Sequence, residues 1–331
     1  MNQLFLNLIA AGLQPAVPPF PERDSFWMPR AVSTSAGHVD WLYYFIYWTS
    51  AAVTVAVVAA MVYFVVKFRA KSRSANEQPT ATSDHNTTLE ITWSVLPMFF
   101  MVAFFYFGFK GYLELRTPPQ GAQEVHVQGQ KWSWSFTHKN GCQDNVLHVP
   151  VNKPVRLIIS SVDVLHSVWI PNFRVKMDAV PGRYTDLWFE ATEPGEFPLE
   201  CTEYCGTSHS DMLSKVVVQS QSEYDSYLDE CTKVDITAEG GQKVYEKKGC
   251  ATCHTVDGSP KVGPSFKGLW GSERSFASGS PVTADENYIK ESILEPQAKI
   301  VTGFPPSMPT YKGQVSDDEI TALIEYLKTL K

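Results

Sequence analysis

The chain has 331 residues, which suits two or three compact units rather than one. Its formal charge of −7 is unevenly spread: +1 over residues 1–119 (8 basic side chains against 7 acidic), −7 over 120–235 (9 against 16) and −1 over 236–331 (11 against 12). An acidic middle segment repels phosphate backbones, so the charge argues against a nucleic-acid partner and favours basic surfaces.

Met1–Ala11 is apolar and runs into small residues at Ala10–Gly12, but no Lys or Arg precedes it, so it matches a signal peptide only in part. Pro15 to Pro29 is proline-rich and reads as extended, exposed chain. From Trp41 to Val66 no residue is charged, enough for a helix across a hydrocarbon core of about 30 Å. Tyr43, Tyr44, Tyr47 and Trp48 crowd its start like an interfacial aromatic belt. Lys67, Arg69, Lys71 and Arg73 follow its end, which the positive-inside rule assigns to the cytoplasm. A second uncharged run, Ile91–Phe109, is interrupted only by Pro97, where a kink is expected. Two spans make a hairpin, so both termini are expected outside the cytoplasm.

Between Gln123 and Ser220 the pattern changes to short alternating runs. Val125 and Val127 begin it, and Gln128–Phe136 reads as strand with Trp132, Trp134 and Phe136 on one face. Val155–Ser160 and Tyr184–Phe189 are further candidates, and together they predict a sandwich or barrel. Ser222–Val234 reads as a short helix plus linker. Past Thr237 the chain turns helical: Ser316 and Glu319 form a capping box, and Ile320, Leu323, Ile324 and Leu327 mark one apolar face.

Four of the six cysteines fall into two tight pairs. Cys201, Cys205, His209 and Met212 lie within a dozen residues, with His166 about 35 residues upstream. Thiolate, imidazole and thioether form a soft donor set suited to copper, and two cysteines four positions apart are able to bridge two ions. A disulfide, a structural zinc site and a core role for His166 remain open on the residues alone, although zinc has no use for Met212. Cys250-Ala-Thr-Cys253-His254 is the C-x-x-C-H pattern of haem c attachment, with a zinc or redox CxxC as the alternative. Met308 is the only methionine after it and the candidate second iron ligand. Cys142 and Cys231 are left over, as a disulfide or as two buried thiols.

Leu89-Glu90-Ile-Thr-Trp93, Gly129-Gln-Lys-Trp132-Ser-Trp134, Asp163-Val-Leu-His166-Ser, Lys176-Met-Asp-Ala-Val-Pro-Gly-Arg183 and the Cys201–Met212 loop resemble subunit II of cytochrome c oxidase. Residues from about 238 to 331 resemble a class I cytochrome c: Gly241 and Tyr245 precede the haem motif and Val262-Gly263-Pro264 follows it. The fusion is similar to the caa-type haem-copper oxidases.

That resemblance implies a membrane α-hairpin of two transmembrane helices, then an all-β cupredoxin barrel, then an all-α class I cytochrome c domain. The expected boundaries are 1–36 for an N-terminal extracytoplasmic segment, 37–118 for the hairpin, 119–222 for the copper A domain, 223–237 for a linker and 238–331 for the cytochrome c domain. It implies a dinuclear copper A centre bridged by Cys201 and Cys205, with His166 and His209 terminal, Met212 a weak ligand and Glu203 offering its backbone carbonyl. The Glu203 carboxylate is expected to help bind Mg²⁺ against subunit I. Cys250 and Cys253 are expected to carry haem c, with His254 and Met308 axial and Pro264 accepting the His254 ring N–H. Trp132 matches the electron-entry tryptophan, preceded here by Lys131 in place of the usual Gln. Glu90 matches the entrance of a proton pathway into subunit I. The implied role is electron entry into a proton-pumping oxidase of the bacterial inner (cytoplasmic) membrane, an oxidoreductase and translocase whose oxygen chemistry lies in subunit I. The partners implied are subunits I and III, the lipid bilayer and, as electron donor, an upstream cytochrome c or quinol-oxidising complex.

Overall fold

The computed structural model describes residues 27–69 and 85–331. The signal-like Met1–Ala11, most of the proline-rich stretch, Lys71 and Arg73 lie outside the described residues. The chain divides into two units, one of Ser35–Arg116 among the described residues, the other joining the segment before Ser35 to Thr117–Lys331.

The first unit is two helices, α1 (Ala36–Lys67) and α2 (Thr87–Arg116), both long and apolar enough to cross a membrane. At 1.5 Å per residue their 32 and 30 residues exceed a hydrocarbon core of about 30 Å. They run antiparallel: His38 meets Glu114 at 3.1 Å, Trp41 meets Phe107 at 4.9 Å and Phe45 meets Phe104 at 5.3 Å, so numbers rise on one helix as they fall on the other. Beyond this seam Val53, Val57, Met61, Val65, Leu96, Met101 and Phe105 leave apolar surface bare, as lipid-facing side chains do. The Thr54 and Thr92 hydroxyls bond back to carbonyls one turn earlier, which satisfies both donors within the helix. Helix α2 continues through Pro97. Asn86 starts it by accepting the Leu89 N–H, and Glu90 sits in its first turn, 2.9 Å from His85.

The second unit begins with a strap, residues 27–34, packed on a barrel. Val32 is fully buried, and its N–H and C=O bond Asn172 and Thr192, while Thr34 donates to Glu190. The barrel has two five-stranded sheets. One, in spatial order β3-β2-β1-β5-β8, uses Gln143–Asp144, Ser133–His138, Gln123–Gln130, Pro154–Ser161 and Thr185–Glu190. The other, β4-β10-β9-β6-β7, uses Leu147–Pro150, Leu213–Gln219, Gly195–Cys201, His166–Ile170 and Val175–Ala179. Pairings β1/β5 and β4/β10 are parallel and the rest antiparallel. Val125 and Val127, Trp134 and Phe136, Val155, Leu157 and Ile159, and Leu187 and Phe189 point inward, the period-two pattern of a half-buried strand. This is a cupredoxin-like arrangement.

The 128–136 stretch is not one strand. Gln130 pairs with Ser133, which leaves Lys131 and Trp132 as a two-residue turn between β1 and β2. Trp132 shares the spacing of Trp134 and Phe136 but packs elsewhere, because a tertiary partner for its indole overrides the alternation.

Helix α3, Gln221–Cys231, is capped by a Ser220/Glu223 box and lies on the barrel. The segment expected as linker, 223–237, therefore starts as helix, and only 232–237 lies between helices. Tyr224 meets His138 at 3.0 Å, Tyr227 donates to Asp144 at 3.0 Å and stacks on His148 at 3.8 Å, and Cys142–Cys231 is a disulfide.

The last part is helical, with α4 (Ala238–Lys247), α5 (Glu286–Leu294), α6 (Asp317–Thr329) and a small ribbon, β11 (Glu273–Arg274) with β12 (Val282–Thr283). Ile320, Leu323, Ile324 and Leu327 pack inward with Val244, Tyr288 and Ile289. Helix α4 crosses α6 at Gly241, where a Cβ would lie 2.0 Å from the Ala322 carbonyl, so only glycine permits the contact.

Burial holds His138 down at about 4, against 6.5 when free, helped by the nearby His148 and Lys247 charges. Between pH 6.5 and 4 the unfolded chain takes a proton at this ring and the folded chain does not. Stability present above pH 6.5 is thus lost as pH falls through that window, by up to about 3 kcal/mol. Thermal melts of the His138→Phe variant should show a flatter pH dependence there than the parent chain.

Candidate functional site

The loop between β9 and β10 gathers the soft donors. Cys201 closes β9 and pairs with Val168 on β6, which brings His166, the first residue of β6, beside it. Cys201 Sγ lies 3.9 Å from His166 Nδ1 and 3.9 Å from Cys205 Sγ. Cys205 Sγ lies 3.4 Å from His209 Nδ1 and 3.7 Å from the Met212 sulfur, and the Glu203 carbonyl is 3.4 Å from Cys201 Sγ. His166, Cys201 and Cys205 offer ligand atoms within 4.8 Å of one another, and all three are buried. Met212 is buried too, which shields the site from water.

Two features fit this set to a bound metal. With metal–sulfur bonds of about 2.3 Å, two thiolates on one tetrahedral ion stand about 3.8 Å apart, as Cys201 and Cys205 do. Ionisation of the pair also demands a positive charge. Burial opposes the Cys201 thiolate, yet the contact with His166 and the backbone at Glu203 and Ser167 together outweigh it and bring the thiol down to about 7. Burial and the Cys201 charge together push Cys205 up. Two buried thiolates this close are compatible only with a cation between them.

Asp163, three residues before His166, orients that ring. Its Oδ1 is 2.9 Å from His166 Nε2, so Nε2 carries the proton and Nδ1 turns its lone pair to the sulfurs. Asp163 is itself held by the backbone N–H groups of Lys131 and Val164. The sequence shows Asp163 inside the His166 motif; its spacing carries no hint of the hydrogen bond.

The second site is a mostly apolar cavity lined by Cys250, Cys253, His254, Pro264, Met308 and Tyr311 among others. Cys250 heads a short 3-10 turn after α4, where Gly249 takes a left-handed conformation (φ +71°). The His254 Nδ1 donates to the Pro264 carbonyl at 2.7 Å, its ring stacks on Phe266 at 4.4 Å and its carbonyl accepts from Tyr245 at 2.6 Å. Burial lowers the His254 pKa, so the ring stays neutral and Nε2 keeps a lone pair for a metal. Burial raises Cys250 to about 12 and raises Cys253 as well. A large, mostly apolar cavity with two thiols, an oriented imidazole and a thioether on its walls fits a covalently held porphyrin.

Trp132 belongs to both sites. With Lys131 and Ser133 it lines the mouth of the cavity, and its indole N–H donates to the Cys205 carbonyl at 3.2 Å. Gly206 gives it room: a Cβ there would lie 3.2 Å from the indole, and φ of +120° excludes most other residues. Glu203 offers its carbonyl inward, while its carboxylate joins no group of three or more ligands among the described residues. Glu90 lies in the helical unit and is described with it.

Comparison with known proteins gives consistent matches. The model "Cytochrome C oxidase subunit II, transmembrane domain" matches residues 21–110, "Cytochrome C oxidase subunit II, periplasmic domain" matches 135–221 and "Cytochrome c" matches 238–331. The chain is similar to cytochrome c oxidase subunit 2 of Alkalihalophilus pseudofirmus, with 30% identity over 84% of this chain and 83% of that protein. It is also similar to the alternative cytochrome c oxidase subunit 2 of Bradyrhizobium diazoefficiens, with 32% identity over 62% of this chain and 83% of that one. Among solved structures, the periplasmic domain of subunit II of cytochrome oxidase of Bradyrhizobium japonicum shares 30% identity, covering 35% of this chain and 96% of its own, with a TM-score of 0.34.

Gly263 packs against the imidazole so closely that an added Cβ would lie 2.6 Å from His254 Cε1. Gly263→Ala should displace the ring and destabilise the fold by about 1–3 kcal/mol, read as a lowered melting temperature of the soluble unit.

Proposed function

The chain belongs to the cytochrome c oxidase subunit II family, and we propose that within it this protein is the electron-entry subunit of a proton-pumping terminal oxidase. Its subunit II and cytochrome c domains imply binding of copper A and haem c, and the family implies assembly with subunit I. Electrons enter at the cytochrome c domain, pass to the copper domain and leave toward haem a of subunit I, where oxygen is reduced to water. The observation that carries the reading is the placement of Trp132, at the mouth of the CxxCH cavity and hydrogen-bonded to the backbone of Cys205.

When bound, the copper pair and the haem supply one-electron redox chemistry. Everything else falls to the side chains. Cys201, Cys205, His166, His209, Met212 and the Glu203 carbonyl would hold the copper pair. Asp163 holds the His166 ring in one tautomer, and the buried Met212 excludes water. A site held rigid and dry needs little rearrangement on gaining or losing charge. Cys250 and Cys253 would hold the haem through their thiols, His254 and Met308 would offer donors to its iron, and the Pro264 carbonyl orients the His254 ring. Trp132, a wall of the cavity hydrogen-bonded to the Cys205 carbonyl, gives electrons a path between the two.

The remaining roles concern partners. The Glu203 carboxylate contributes to a Mg²⁺ site at the subunit I contact, and Glu90, at one end of α2, is the entrance of the proton pathway. Subunit III completes the core complex. An upstream cytochrome c or a quinol-oxidising complex supplies the electrons. Membrane insertion through α1 and α2 leaves both termini and both soluble domains outside the cytoplasm of a bacterial inner membrane.

Purified with its partner subunits, the protein should contain copper and iron and show both a haem c absorption band and a copper paramagnetic signal. Cys205→Ser should abolish the copper signal and keep the haem band; Met308→Ala should lower the haem midpoint potential and keep the copper. Loss of both cofactors from either folded variant would overturn the two-site assignment. Trp132→Leu should slow haem-to-copper electron transfer by at least about tenfold with both potentials unchanged, measured after photoreduction.

A further inference from the structure

Lys247 and Lys248 stand just before the haem attachment motif, and the roles given above make no use of them. The Lys248 side chain is only 7% exposed. An ammonium has three N–H donors, and burial demands an acceptor for each. Glu319 Oε1 stands at 3.1 Å, the Gln314 carbonyl at 2.8 Å and Gln143 Oε1 at 2.8 Å. The first two belong to the haem domain, and the third comes from β3 of the barrel.

Lys247 points the same way. Its Nζ donates to the Cys231 carbonyl at 3.0 Å and lies 2.9 Å from Cys231 Sγ. Gln143 follows Cys142 in the chain, so the Cys142–Cys231 disulfide ties β3 of the barrel to the end of α3, the two segments that receive the two lysines. Gln314 donates to Gln130 across the same boundary at 3.3 Å, and a Cβ on Gly249 would lie 3.1 Å from the Ser133 Cβ. These contacts frame the Lys131–Ser133 turn that lines the haem cavity.

We infer that the disulfide-tied edge of the barrel is a docking socket for Lys247 and Lys248, which holds the haem cavity against Trp132 in one fixed geometry. Lys248 is therefore a positioning residue for electron transfer inside the chain. The inference rests on the relay reading above. A domain swinging on residues 232–237 alone would reach the barrel by diffusion, at an effective concentration of order millimolar. The socket replaces that search with a preformed contact.

The test uses the whole oxidase with both cofactors, following haem-to-copper transfer after photoreduction across a range of sucrose viscosities. The wild-type rate should not depend on viscosity. Lys248→Met should be slower by about tenfold or more and should become viscosity-dependent, with both midpoint potentials unchanged. Gln143→Ala, which leaves the haem domain untouched, should shift both readouts in the same direction. Amide hydrogen exchange at residues 131–133 should accelerate in both variants. A wild-type rate that falls with viscosity, or variants with wild-type rates and exchange, would overturn the socket while leaving the relay intact. Absence of any haem-to-copper transfer in the wild type would overturn the relay and the socket with it.

Discussion

Trp132 sits in a two-residue turn and gives its indole N–H to the carbonyl of Cys205, a buried cysteine of the metal loop. Much of the soluble unit is arranged so that this contact exists. Gly206 leaves the space for the ring, and the Asp163 carboxylate holds the Lys131 N–H from one side while holding His166 from the other. The turn that carries Trp132 is thus coupled through one carboxylate to a metal ligand. Displacement of the turn disturbs the site, and disorder in the site frees the turn. A barrel that only had to bury two tryptophans would have kept Trp132 with Trp134 and Phe136.

Electrostatics impose the second constraint. The barrel segment is acidic, and its metal loop buries two thiols that repel one another once ionised. Bound cations resolve that conflict, so metal loading and the stability of the loop belong to one equilibrium. At the other site burial likewise raises both cavity thiols, and it lowers His254, keeping that ring neutral. Loss of water disfavours the ionised thiol at both sites, and only Cys201 has neighbours, His166 above all, that offset it.

The sequence was most legible where function demands a fixed spacing. The two cysteine pairs with His209, Met212 and His254 lie in short motifs, whereas His166 and Met308 stand far off in the chain and are brought beside those motifs by the fold. The membrane spans were legible from length and the absence of charge, and the last helix from its capping box and apolar face. What stayed hidden depends on distant contacts. No local pattern marks residues 27–34 as a strap on the barrel, because Val32 is buried by strands some 140 positions away. The disulfide was one of two open readings, since the 89 residues between Cys142 and Cys231 say nothing of their distance. Alternation placed Trp132 on a strand face, and only the indole–carbonyl contact explains why it leaves the row.

Glu319 shows how one residue reads correctly at one level and incompletely at the next. Its role in the capping box follows from Ser316 three positions earlier, and one of its oxygens accepts the Ser316 N–H. The other oxygen faces the buried Lys248 ammonium, whose third acceptor is on the barrel. A residue that starts a helix therefore also neutralises the lysine at the boundary between two domains. Local rules fix where the helix begins, and the domain boundary decides which acidic residue its first turn can use. The fused haem domain is thus an integral face of the soluble unit, because its buried charge is satisfied only when the barrel is present.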